Sequence, residues 1–304
     1  MGSDDIVVTS TSLDRGALAS LSGSLQSDHF CIRNTQLAWS DLVEPRLFDA
    51  DVVHDLHERL RTARPFEHLV ADNWFNPTLL ELIHEEFDLF GDSGWREMHS
   101  HHEHTMRSAQ HARFGPATQL YFAIVNSGWF VDLLAAVSGV DDLIPDPLLH
   151  GGGMHETRAG GGFGIHRDFD RHVRHGLSNR MVFISYLNKG WDPSWDGALE
   201  LWDSASSGCV TSIEPEFGRS LLLKHGPCSY HGHPRPLKVP NGRVRRSVAA
   251  YYYTNPAAAD LRDDEVRSRF LFKRPTDGVK RLAKLVTPPI VWLGLKKIVR
   301  RPGA

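Results

Sequence analysis

The chain has 304 residues, 41% of them apolar, with 34 Lys and Arg against 37 Asp and Glu, for a formal net charge of −3. That length accommodates one large β-rich domain with helical additions or two ordinary domains, and the near-balanced charge gives no basis for nucleic-acid binding. Cys31, Cys209 and Cys228 follow no paired spacing, the N-terminus shows no leader pattern and no run approaches the roughly 20 apolar residues of a membrane span, so a reducing, cytoplasmic setting is expected.

Residues 1–40 are rich in Ser, Thr, Gly and Asp and are expected to be a flexible lead-in. Residues 41–147 read as a helical support region. Leu47 to Leu60 carries apolar residues at helical spacing with an Asp to cap it, and Pro65 to Trp74 reads as a strand. Asn76-Pro77 opens a second helix that runs to about Phe90. Further helices are expected over Ala117 to Ser127 and Trp129 to Val137. Between them lies a His-dense segment, Met98-His99-Ser100-His101-His102-Glu103-His104, with His111 beyond. It reads as a polar loop; a metal site and a cover over a substrate pocket are the alternatives.

After Pro145-Asp146-Pro147 the pattern changes to short β-type runs: Gly153 to Thr157, Phe163 to Asp168, Arg180 to Asn188, Gly197 to Asp203, Val210 to Ile213, Ser220 to Lys224 and Arg245 to Thr254. Turn signals such as Asp196-Gly197 and Asn241-Gly242 separate them. Strands this frequent across residues 148–256 predict an α+β, β-rich chain with a double-stranded β-helix (jelly-roll) core, buttressed by the N-terminal helices. Residues 257–304 form a basic extension in which Lys and Arg interleave with Leu, Ile, Val and Trp. A terminal helix packed on the domain is expected there, with membrane-surface contact as the alternative.

In an extended strand alternate side chains share a face, so His166 and Asp168 point the same way with Arg167 between them pointing outward. An imidazole beside a carboxylate is two-thirds of the 2-His-1-carboxylate triad that holds non-haem Fe(II). The third ligand must come from a later strand. Ser229-Tyr230-His231-Gly232-His233 offers two candidates; His231, before a Gly that lets the backbone turn, is favoured over His233, and His225 is a third. Iron held by three protein ligands keeps open positions for a chelating keto acid and O2. The far carboxylate of such an acid needs a buried cation. Arg245 and Ser247 share one face at the head of the last strand run and supply a guanidinium fork and a hydroxyl.

These pieces, in order, resemble the core of the iron(II)/2-oxoglutarate-dependent dioxygenases, in the prolyl-4-hydroxylase-like branch. They are His166-x-Asp168, Tyr186-Leu187-Asn188-Lys189-Gly190-Trp191, Asp196-Gly197-Ala198-Leu199-Glu200-Leu201, Ile213 to Arg219, His231-Gly232-His233-Pro234 and Arg245-x-Ser247 leading into Tyr251-Tyr252-Tyr253. Upstream, Asp142 to Pro147 followed by Gly151-Gly152-Gly153 is similar to bacterial members of unassigned substrate, and the resemblance spans about residues 65–256.

The resemblance implies His166, Asp168 and His231 as catalytic iron ligands, Arg245 on the distal carboxylate of 2-oxoglutarate with help from Ser247, and Tyr186 as a further donor to it or a core aromatic. The place where relatives carry another Tyr near the keto acid falls around His155 and Thr157. Arg180 reads as a solvated strand start or a residue at the substrate mouth. Fe(II), 2-oxoglutarate and O2 are the implied cofactors, with ascorbate as a stimulant. The implied reaction is hydroxylation of an unactivated C–H, with succinate and CO2 as coproducts. The expected substrate is a small molecule or glycan precursor. A peptidyl (prolyl-type) hydroxylase, or a non-redox cupin-like isomerase or sugar-binding protein, is the alternative.

Overall fold

The structure, a computed structural model, describes residues 28–109, 112–205, 208–256 and 269–271. Most of the expected lead-in and of the basic C-terminal extension, and His111, lie outside the described residues.

The described part of the lead-in is ordered: β1 (His29–Ile32) and β2 (Thr35–Ala38) form a hairpin that buries Ile32 and Leu37 against the helical layer. Helix α1 (Ala50–Thr62) starts where the Asp49 carboxylate accepts from the Asp51 N–H. Strand β3 (His68–Asp72) follows, then α2 (Pro77–Asp88), capped by Asn76 with Pro in its first turn. Strands β4 (Trp95–His99) and β5 (Glu103–Ser108) come next, then α3 (Pro116–Val125) and α4 (Gly128–Ser138). The N-terminus of α3 is capped from a distance. Buried Glu86 of α2 accepts from the Ala117 and Thr118 N–H groups and the Thr118 hydroxyl. Helix α4 stops at Gly139, whose left-handed φ of 64° suits Gly. No single helix among the described residues is long and apolar enough to cross a membrane.

The remaining strands are β6 (Ile144–Pro145), β7 (Gly153–Thr157), β8 (Gly162–Arg167), β9 (Ser178–Tyr186), β10 (Leu199–Trp202), β11 (Thr211–Ile213), β12 (Arg219–Lys224), β13 (Tyr230–His233), β14 (Arg245–Thr254) and β15 (Arg269–Phe270). They join one 13-stranded antiparallel sheet with the path β11-β10-β13-β8-β5-β7-β14-β9-β12-β3. The sheet curls so that β8, β10 and β13 on one side and β7, β9 and β14 on the other line one pocket. This is the β-rich jelly-roll that the strand spacing predicts.

Residues 41–147 supply strands as well as helices: β3, within the strand expected over Pro65 to Trp74, and β5 are members of the main sheet, with β4 paired on β5. One expectation needs correction. The His-dense segment is the tip of the β4–β5 hairpin rather than a loop, because Glu103, Thr105 and Arg107 alternate inward and give β5 a pocket face. From the C-terminal region, β15 adds to the edge of β8.

Alternation divides the long strands cleanly. Met181 and Phe183 of β9 and Val248, Ala250 and Tyr252 of β14 belong to the core shared with the helices. Burying a side chain of that class contributes about 1.5–3 kcal/mol. Tyr252 and Tyr121, both fully buried, satisfy their hydroxyls on Val125 O and Ser185 Oγ. The opposite faces, with Val182, Ile184 and Tyr186 of β9 and Ser247, Ala249 and Tyr251 of β14, turn to the pocket. Gly232 matters on the other wall. A Cβ there would lie 2.7 Å from Phe163 O and 2.8 Å from Gly164 O, so only Gly lets β13 close on β8.

Candidate active site

The register of the sheet builds the site. His231 of β13 is the direct cross-strand partner of His166 of β8, which places their ring centroids 4.7 Å apart. Asp168, just past the end of β8, turns in beside them. The ligand atoms of His166, Asp168 and His231 all lie within 4.8 Å of one another, and all three residues are buried. His166 Nε2 is 3.2 Å from Asp168 Oδ1, and His231 Nε2 is 3.7 Å from Asp168 Oδ2.

Both imidazoles are fixed by their other nitrogen. His166 Nδ1 donates to Gly164 O at 2.8 Å and His231 Nδ1 to Ser229 O at 3.1 Å. A carbonyl only accepts, so each Nδ1 carries the hydrogen. Burial brings the His231 pKa down to about 4, so this ring is neutral near pH 7 and points a bare Nε2 lone pair at the carboxylate. Burial alone would raise the Asp168 carboxyl; the positive charge that His231, His166 and His225 carry when protonated more than offsets it, and a metal cation between them would act in the same sense. A lone pair and a carboxylate converging in a dry site repel unless a cation lies between them. The donor set therefore fits a divalent metal of the imidazole- and carboxylate-binding class.

The remaining candidates fall in two places. His225 is not part of the triad: its Nε2 lies 3.3 Å from Asp168 Oδ2, beside the Tyr251 hydroxyl, which donates to the same oxygen at 2.9 Å. His233, two residues on from His231 on the same face of β13, lines the pocket outside the triad, and burial lowers its pKa well below the ordinary value.

The second place lies toward β14. Buried Arg245 donates from Nε to Gly197 O at 2.8 Å and holds its guanidinium 5.0 Å from the Tyr186 ring centre, yet no carboxylate pairs with it among the described residues. Burial pushes the Tyr186 phenol up, partly opposed by the Arg245 charge. Ser247 is the cross-strand partner of Tyr186 on one side and of His155 on the other, and Arg107 of β5 follows His155. A row of Tyr186, Ser247, His155 and Arg107 thus crosses four strands on the pocket face. An unpaired buried guanidinium is costly, and an incoming carboxylate would relieve that cost. Burial, helped by Arg107 and Arg245, takes the His155 pKa down to about 3, so this ring is neutral near pH 7. Arg180 is not at this pocket; its Nε donates to Thr254 Oγ1 at 2.7 Å.

Residues 152–253 match the family described as the 2OG-Fe(II) oxygenase superfamily. This match assigns the β-rich core to those oxygenases and makes the protein an oxidoreductase that works with Fe(II), 2-oxoglutarate and O2. The fold is similar to a Pseudomonas putida prolyl-4-hydroxylase, at 16% identity over 67% of this chain and 100% of that one, with a TM-score of 0.48. A Trichoplax adhaerens prolyl hydroxylase in complex with a hypoxia inducible factor peptide fragment is similar at 16% identity over 67% and 89%, TM-score 0.47. HygX from Streptomyces hygroscopicus with nickel, 2-oxoglutarate and hygromycin B bound is similar at 14% identity over 67% and 93%, TM-score 0.43. No curated protein matches the chain.

Sequence reasoning missed Tyr251 as a partner of Asp168 and missed the Glu103, Thr105 and Arg107 wall. Tyr251 could have been found, since alternation from Arg245 through Ser247 and Ala249 puts it on the same face. Removing its hydroxyl frees Oδ2 of Asp168. Tyr251→Phe is therefore expected to weaken iron binding about 10- to 100-fold, measured by titration of the metal-free protein.

Proposed function

We propose that this protein is an Fe(II)/2-oxoglutarate-dependent dioxygenase that hydroxylates an unactivated C–H of a small polar molecule or glycan precursor. His166, Asp168 and His231 hold the iron, while Arg245, with Ser247 and Tyr186, holds the far carboxylate of 2-oxoglutarate. The observation that carries this reading is the burial of a converging His-Asp-His set in the same pocket as an arginine that forms no ion pair among the described residues.

Iron held there would supply one reaction: O2 and 2-oxoglutarate would become succinate and CO2, and one oxygen atom would enter the substrate C–H. The chain's own residues orient and shield. Gly164 O and Ser229 O keep both imidazoles turned inward, and the Tyr251 hydroxyl holds Oδ2 of Asp168. Phe163, stacked on His166 at 3.9 Å between centroids, and Phe270 at 5.6 Å screen that ligand from water. Arg245, in the same pocket as the triad, would hold the far carboxylate of the cosubstrate.

The substrate class rests on β5. Glu103 accepts from Thr105 Oγ1 and from Arg107 Nη2, both at 2.7 Å, while Arg107 Nε stays buried without a partner. Arg107 also lies 5.5 Å from the Phe163 ring centre, close to the triad. Paired donors and acceptors beside the reacting centre suit a substrate bearing hydroxyl, amino or carboxylate groups. Arg107→Ala should leave substrate-free 2-oxoglutarate turnover within about twofold and reduce substrate-stimulated turnover about 10- to 100-fold, the loss expected for one hydrogen bond to a charged group. Succinate release in the presence of sugars, amino sugars, amino acids and proline-containing peptides tests the class. Stimulation by a small polar compound supports it, and stimulation by the peptides alone replaces it with a peptidyl hydroxylase.

A further inference from the structure

We propose that the outer face of the β4–β5 hairpin is a second metal site, in which Glu97, His99 and His104 bind a divalent transition ion of the Zn2+, Cu2+ or Ni2+ type. Glu97 and His99 are two apart on β4 and share a face, and His99 is the direct cross-strand partner of His104 on β5. Glu97 Oε1 lies 3.3 Å from His104 Nε2 and 3.9 Å from His99 Nδ1, and the two rings are 4.8 Å apart between centroids. One ligand atom from each residue falls within a common 4.8 Å. Tetrahedral coordination with Zn–N bonds of about 2.0–2.1 Å spaces ligand atoms about 3.4 Å apart. One pair is already at that spacing, and the other contacts close by small side-chain rotations.

These side chains are 48–71% exposed, so they can rotate freely, and water is available for the remaining position. An ordinary His–Glu ion pair accounts for one imidazole. It does not account for a second one opposite the first, turned to the same carboxylate. Two imidazoles and one carboxylate suit Zn2+, Cu2+ and Ni2+ far better than Mg2+ or Ca2+. The site lies back to back with the pocket: His104 points outward from β5, while Glu103 and Thr105 point inward to the pocket. An ion here ties β4 to β5 and braces the strand that carries the substrate wall. The inference does not depend on what the inner triad does.

Metal-depleted full-length protein, loaded with Zn2+, desalted and assayed for bound zinc by mass spectrometry, tests it. The wild type should retain one equivalent more than His99→Ala/His104→Ala. His166→Ala/Asp168→Ala should retain that equivalent, and Zn2+ should still raise its Tm. Equal zinc in the wild type and the His99→Ala/His104→Ala variant overturns the outer site. A failed inner triad reads differently: His166→Ala/Asp168→Ala would then hold as much zinc as the wild type, while the outer pair still showed its own one-equivalent loss. All four substitutions leave the hairpin backbone pairing untouched, and circular dichroism of each variant checks the fold.

Discussion

Asp168→Ala is expected to reduce 2-oxoglutarate turnover at least about a thousandfold, equivalent to about 4 kcal/mol. Asp168 is the only anionic member of the buried set, and both imidazoles direct their Nε2 atoms toward its oxygens. Without it, two neutral rings must hold a dication in a dry pocket with no carboxylate among the ligands. Succinate formation and iron content, measured together, should fall together. A variant that keeps both near wild-type values would remove Asp168 from the proposed centre. The contrast with Tyr251→Phe is informative, because that change leaves the carboxylate in place and loosens only its support.

The second large effect is at Arg245. Truncating one partner of a buried charged pair costs about 2–5 kcal/mol, so Arg245→Gln should raise the 2-oxoglutarate Kd about 30-fold or more. Stability separates a binding role from a scaffolding one. Arg245 forms no ion pair with a carboxylate among the described residues, so its removal should leave the Tm of the ligand-free protein within a few degrees. With 2-oxoglutarate at a hundred times the wild-type Kd, the wild type gains about 2.7 kcal/mol; a hundredfold weaker variant gains only about 0.4. Thermal shift with and without 2-oxoglutarate reads both quantities. A large drop in the ligand-free Tm, with the ligand-dependent rise intact, would make Arg245 a structural residue.

The parts of this site carried by strand alternation were legible before any fold was known. His166 and Asp168 share a face because they are two apart, and so do Arg245 and Ser247; the structure places all four in one pocket. The choice of His231 over His233 and His225 depended on a register that no local pattern contains. Direct pairing across β13 and β8 brings His231, rather than His233 or His225, opposite His166. The His-dense stretch misled because histidines dominate its composition. Its alternation of inward Glu103, Thr105 and Arg107 with outward His104 and Met106 is a strand pattern, and pairing with β7 and β8 completes it. Strand β13 was not among the β-type runs, because Gly232 and the following Pro234 interrupt it, yet the close approach to β8 requires that Gly.

The central claim is that one buried pocket binds iron and 2-oxoglutarate together through the named residues. Anaerobic addition of Fe(II) and 2-oxoglutarate to the metal-free protein, followed by visible absorbance, tests it most directly. A weak charge-transfer band that requires both additions, is absent in His166→Ala and needs far more 2-oxoglutarate in Arg245→Gln is the predicted result. Iron bound at the triad with no band at saturating 2-oxoglutarate would contradict it.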